Sequence, residues 1–194
     1  MKIGMAQINA LTGDLQGNAE KIVDAIHRAK EQGCDLVVCP EMAVTGYMTG
    51  DLLEIDDFVQ ANERLLRERI VTRCTDIVAV VGYVRFSGET GSGQRLHNAA
   101  AVIQNGRIVA TAHKQNLCRY RFYDETRYFR AGESTCVAAV SIGGAKRRMG
   151  VLICEDLWEH DYPVNPYRDA AEAGADLIVV VNCSPFESGK WRSR

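Results

Sequence analysis

Asn105-Gly106 is the feature that most restricts what this chain can fold into. It separates two strand-like runs, Leu96–Gln104 and Arg107–His113. A two-residue hairpin turn of the favoured kind needs positive φ at both central positions, which Asn and Gly tolerate. The middle of the chain is therefore read as antiparallel. Its two ends have a different rhythm. Lys2–Ile8 reads as a first strand, and Gly17–Gln32 carries Ala19, Ile22, Val23, Ile26 and Ala29 at helical spacing. Gly33 closes that helix. Asp35–Cys39 (DLVVC) reads as a short buried strand that Pro40 ends. Phe58–Val71 is read as a second amphipathic helix and Asp76–Arg85 as a third strand. Beyond the hairpin, Val137–Ser141 and Arg148–Ile153 are strands, Pro166–Ala173 is a helix closed by Gly174, and Asp176–Asn182 is a last strand. Strand–helix alternation at both ends around a hairpin centre predicts a layered α/β protein, not a clean doubly wound sheet.

A chain of 194 residues is long enough for one domain with a full core. Its net charge of −2 gives no reason to expect nucleic acid or an anionic membrane as partner. No apolar run approaches the length of a membrane span, and the N-terminus lacks the apolar core of a signal peptide. The seven cysteines are scattered, with no pair at two-residue spacing, which argues against a zinc ribbon or a thioredoxin-type motif. No metal site is expected, and a reducing, cytoplasmic compartment is. Gly88–Gln94 (GETGSGQ) resembles a phosphate loop but lacks its lysine and its following helix, so it reads as a flexible hairpin connection. Asn182-Cys183-Ser184 reads as an accidental glycosylation match.

Three reactive side chains sit directly after predicted strands: Glu41, Lys114 and Cys154. In layered α/β proteins that edge is where sites assemble. A carboxylate can deprotonate a thiol. A nearby ammonium is expected to lower the thiol pKa and to hold an oxyanion. Glu125, in the long aromatic and charged stretch Lys114–Gly132, offers a second carboxylate, and two carboxylates would keep Lys114 protonated. The four histidines, His27, His97, His113 and His160, show no shared pattern.

CPEMAVTGY at Cys39–Tyr47, HKQNL at His113–Leu117 and GVLICEDLW at Gly150–Trp158 together resemble the nitrilase, or carbon–nitrogen hydrolase, superfamily. Asp51–Phe58, Tyr120–Gly132, Ile153–Trp158 and Asn182–Lys190 are similar, more narrowly, to the N-terminal glutaminase domains of glutamine-dependent NAD synthetases. The resemblance implies an αββα four-layer sandwich, truncated at its C-terminus, and an incomplete domain over residues 1–194 with the ATP-dependent synthetase domain absent. It implies Glu41 as general base and acid, Lys114 as oxyanion-stabilising lysine, Cys154 as nucleophile and Glu125 as auxiliary carboxylate. Tyr120, Ser184 and Lys190 fall where the family binds L-glutamine, and the backbone N–H of Glu155 is a second oxyanion donor. Lys190 suits the α-carboxylate of a free amino acid.

The implied reaction is glutamine amide hydrolysis. It would supply ammonia to a synthetase domain of the same polypeptide, which amidates nicotinic acid adenine dinucleotide to NAD. No cofactor is implied in this domain; ATP and Mg belong to the synthetase domain. A homo-oligomer is expected. Cys39 stands where the family often has an aromatic residue, and Cys118 where a proline is frequent. Two other readings remain: a stand-alone amidase or nitrilase, and a catalytically inactive fragment with a binding role.

Overall fold

The structure is a computed structural model that describes residues 1–88, 94–120, 123–158, 162–185 and 188–192. The expectation for Gly88–Gln94 falls mostly on residues 89–93, outside the described residues, as does His160.

Two sheets form the middle of the molecule. The first has the order β1-β2-β3-β4-β5: β1 Ile3–Met5, β2 Leu36–Val38, β3 Val78–Phe86, β4 Leu96–Gln104 and β5 Arg107–His113. β1, β2 and β3 run parallel, while β3, β4 and β5 are antiparallel. The second sheet, β6-β7-β8, comprises β6 Cys136–Ile142, β7 Ala145–Ile153 and β8 Leu177–Val181. β6 and β7 form a hairpin, and β8 adds in parallel to β7. The Asn105-Gly106 turn is as the sequence predicts: Gln104 pairs with Arg107, and φ is 52° at Asn105 and 68° at Gly106.

Period-2 alternation sorts the strand residues into two cores. Val37, Ala79, Val81, Ala99, Ala101 and Ile103 face Ala19, Ile22, Ile26 and Ala29 of α1 (Leu15–Glu31). Leu36, Val78, Val80, Ala100 and Val102 face the second sheet, against Val140, Met149, Val151, Ile153 and Val179. On the far side of that sheet α4 (Pro166–Glu172) lies against β7, with Ala170 over Gly150. The layers are therefore helix, sheet, sheet, helix, the αββα sandwich that the resemblance implies. Burial of large apolar side chains at about 25 cal/mol per Å² drives both interfaces.

Helix α1 begins at Asp14, whose side chain accepts from the Gly17 N–H. It ends as read: Gly33 has φ 68°, its N–H donates to Lys30 O, and Cys34 N–H donates to Ala29 O, a Schellman closure. The second helix differs from expectation. α2 runs Asp56–Leu65, followed by a π-turn at Leu66–Ile70 and a 3-10 turn at Val71–Arg73. Leu66, Ile70 and Val71 are all buried across this turn. The stretch Lys114–Gly132, without period in the sequence, holds the four-residue helix α3 (Glu125–Tyr128).

Candidate active site

Each of the three reactive side chains is set by a local backbone feature. Glu41 begins a turn two residues after Cys39, whose N–H donates to Val80 O of β3. The turn can lie on β3 only because residue 82 is glycine: a Cβ there would meet Pro40 O, and would come 2.5 Å from Met42 N and 2.8 Å from the Glu41 Cα. Lys114 directly follows β5, with its N–H on Asn98 O of β4 at 2.9 Å. Cys154 directly follows β7 and opens the 3-10 turn Cys154–Leu157 with φ 48°. A non-glycine residue in that region stores about 1–3 kcal/mol of strain, and such strain gathers at functional positions. Gly82→Ala is expected to cost about 1–3 kcal/mol by overpacking. It should also slow alkylation of Cys154 by displacing Glu41. Thermal unfolding and peptide mapping after brief alkylation check the two effects.

The side chains meet in a buried network. Lys114 Nζ donates to Glu41 Oε1 and to Glu125 Oε1, each at 2.8 Å, and the lysine is fully buried. Asn98 Nδ2 donates to the same two oxygens, at 2.8 and 3.4 Å. Tyr47 Oη donates to Glu125 Oε1 at 2.8 Å, and Cys118 N–H to Glu125 Oε2 at 2.7 Å. The third lysine hydrogen is directed at Cys118 Sγ, at 3.7 Å. Glu41 Oε2 is buried and has no hydrogen-bond partner among the described residues.

Burial alone would lower the Lys114 ammonium; Glu41 and Glu125 override it and hold it well above its ordinary value. Burial raises Glu41, and Lys114 offsets only part of this. The thiol departs from expectation. Burial pushes Cys154 up to about 12, and Glu41 adds to the rise. Lys114, Ser184 and the Cys183 backbone pull the other way and lose. The Cys154 thiol is thus neutral at rest, and desolvation is the reason the expected lowering by Lys114 does not prevail.

Ser184 reaches the thiol, its Oγ 3.8 Å from Cys154 Sγ, and donates to Asn182 Oδ1 at 2.9 Å. The Glu155 carboxylate is buried and held by two tyrosines, Tyr120 Oη at 3.2 Å and Tyr162 Oη at 2.9 Å. Its N–H lies in the first turn of the 3-10 helix, where backbone donors have no partner within the helix. The Lys190 ammonium donates to Pro185 O at 2.9 Å.

Sequence reading missed several groups. Asp156 ties the chain after Lys114 to the chain around Cys154, accepting from Gln115 N–H and Asn116 N–H on Oδ1 and from Ile153 N–H on Oδ2. Burial pushes this carboxyl up to about 6 against those three donors. Asn98 was visible only as a polar residue in the apolar run LHNAAAVI. His97 and His113, read as unrelated, stack with ring centroids 4.1 Å apart. They sit one residue before Asn98 and Lys114 and so point to the other side of the sheet. Among the described residues no group of three or more His, Cys, Asp and Glu side chains could hold a metal ion.

The sequence pattern of the family described as carbon-nitrogen hydrolase matches residues 2–194. A glutamine-dependent NAD(+) synthetase of Xanthomonas campestris is 36% identical over 195 residues, covering 100% of this chain and 33% of that protein. The structure of glutamine-dependent NAD+ synthetase from Acinetobacter baumannii superposes with a TM-score of 0.84 at 33% identity, covering 98% of this chain and 34% of that one. A variant amidase from Nesterenkonia sp. AN1, with acrylamide joined by Michael addition to its active-site cysteine, superposes with a TM-score of 0.73 at 29% identity. That likeness covers 94% of this chain and 66% of the amidase. The chain thus spans about a third of the length of the curated relatives it matches. The layered fold, a thiol, carboxylates and an ammonium gathered at strand ends, and a family pattern over nearly every residue lead to one assignment: the chain belongs to the carbon-nitrogen hydrolase family.

Proposed function

We propose that residues 1–194 belong to the glutamine-hydrolysing domain of a glutamine-dependent NAD synthetase. The observation that carries this reading is the likeness of the whole chain to proteins of that name. The chemistry follows from the buried network. Cys154 Sγ attacks the side-chain amide carbon of glutamine while the free Glu41 Oε2 accepts the thiol proton. The third N–H of Lys114 and the Glu155 N–H receive the oxyanion. Glu41 returns the proton to nitrogen, ammonia leaves, and a glutamyl thioester remains. Water, deprotonated by Glu41, then releases glutamate and restores the thiol. A base raised above the ordinary carboxylate range is better matched to a thiol than an exposed glutamate would be.

Ser184, in contact with the thiol, and Tyr120 with its partner Glu155 would orient the amino acid, with Lys190 swinging from Pro185 O to its α-carboxylate. The ammonia would pass to an ATP- and Mg-dependent ligase domain of the same polypeptide, in a cytoplasmic homo-oligomer. No cofactor is assigned to the domain formed by this chain.

A second reading, a stand-alone amidase, is favoured by the two-thirds coverage of the Nesterenkonia amidase. Ammonia release from glutamine, asparagine, acetamide and propionamide decides between them. Glutamine is expected to exceed the simple amides by at least about a hundredfold in kcat/KM, since a site built to bind polar groups rejects ligands lacking them. Equal or faster turnover of acetamide would favour the amidase. Absence of turnover together with an unreactive Cys154 would favour a fragment with a binding role.

A further inference from the structure

Glu41 and Glu125 bring one excess negative charge to the single buried ammonium of Lys114, and both aim Oε1 at it. Two carboxylate oxygens this close repel one another, and in a site closed to water that repulsion is weakly screened. One side chain answers it. Asn98 is 1% exposed, sits on β4 directly before the alanine run of the core, and directs both hydrogens of its amide to those two oxygens. With Lys114 Nζ it closes a ring of two donors and two acceptors. That ring consumes Oε1 of Glu41 and leaves Oε2 free.

We propose that Asn98 is a positioning residue, which clamps the two carboxylates on Lys114 and thereby holds Glu41 with Oε2 turned to the thiol. This rests on the reading of Glu41 as the base for Cys154. Asn98 touches neither substrate nor sulfur; it acts through Glu41. A neutral donor is the fitting choice. A second lysine would leave the cluster neutral but would place a second buried ammonium beside the first. An apolar residue would leave the repulsion uncompensated and raise the proton affinity of Glu41 further. The other titratable groups that act on Glu41 or are acted on by it are Lys114, Glu125, Tyr47, Tyr123, Cys154 and Cys183. None of these is a neutral donor to both carboxylates.

The test follows acrylamide addition to Cys154 in the intact 194-residue chain, read by peptide mass against pH. This readout needs no turnover, so it succeeds or fails independently of whether glutamine is the substrate. Asn98→Leu keeps the shape and removes the donor; Asn98→Ser restores a shorter one. The rate in the parent protein should rise with pH as Glu41 loses its proton. In Asn98→Leu the midpoint of that rise is expected at least one pH unit higher, so that about tenfold more alkali is needed for the same rate. In Asn98→Ser the shift should be smaller. An unchanged midpoint in the folded variants, whatever the loss of rate, would overturn the proposal. Loss of the folded state in both, seen by circular dichroism, would overturn it too, because Asn98 would then be a residue of the fold alone.

Discussion

Lys114→Leu is expected to unfold the protein at markedly lower temperature and to leave no measurable amide hydrolysis. The lysine is the only cation in contact with Glu41 and Glu125 among the described residues, and all three are buried. Removing one partner of such a cluster leaves uncompensated buried charge, which costs about 3–5 kcal/mol. The loss has a definite pH sign. Glu41 is already held above its ordinary value by burial, with Lys114 pulling it back. Without the ammonium it rises further in the folded state but not in the unfolded one. A carboxyl raised by folding favours the fold below its unfolded pKa and opposes it as pH rises through the folded value. The variant should therefore recover part of its deficit on acidification from neutral pH toward the ordinary range of glutamate. Denaturant titrations of both proteins across that range check this. A deficit that stays constant with pH would mean that packing, not charge, is what Lys114 supplies.

Cys154→Ala is expected to abolish hydrolysis while leaving stability nearly unchanged. Cys154 lies close enough to Glu41 for the carboxylate to raise its thiol, and loss of a nucleophile costs about 10⁴-fold or more in turnover. The buried charges lie on the other residues, so their balance survives. In a glutamine-dependent NAD synthetase carrying this chain, as the proposed function has it, NAD formation driven by glutamine should vanish while formation driven by added ammonia persists. Measuring both rates in one preparation separates a lost nucleophile from a damaged protein. Substantial glutamine-driven formation in the variant would remove Cys154 from the nucleophile's role.

A neutral resting thiol has a further consequence for labelling. Six other cysteines are present, and Cys39, Cys74 and Cys118 are likewise raised by burial. Selectivity for Cys154 must then come from a base within reach and from orientation of the reagent, not from a stable thiolate. The sequence shows the ammonium, which does pull the thiol down, but not the burial that outweighs it.

Much of the molecule is legible along the chain because its determinants are local. Asn105-Gly106 dictates its own turn, Gly33 its own helix end, and the alternation in β3 and β4 records two buried faces. Glu41, Lys114 and Cys154 stand out because each follows a strand directly. The π-turn at Leu66–Ile70 was not legible, since it serves contacts with strands distant in sequence. Nor was Asn98, which looks like an interruption of an apolar strand until Glu41 and Glu125, 57 and 27 residues away, arrive beside it.

Which elements form, which of their faces are apolar, and which reactive side chains lie at strand ends are set along the chain. Periodicity, turn chemistry and chain termination of strands act within a few residues, so they can be read in one dimension. Packing in three dimensions leaves the thiol neutral, brings Asn98 and Tyr47 onto the two carboxylates around Lys114, and seats Lys190 on Pro185 O. Those outcomes depend on burial and on distances between residues far apart in the chain. Electrostatic energies in a site closed to water are set by both.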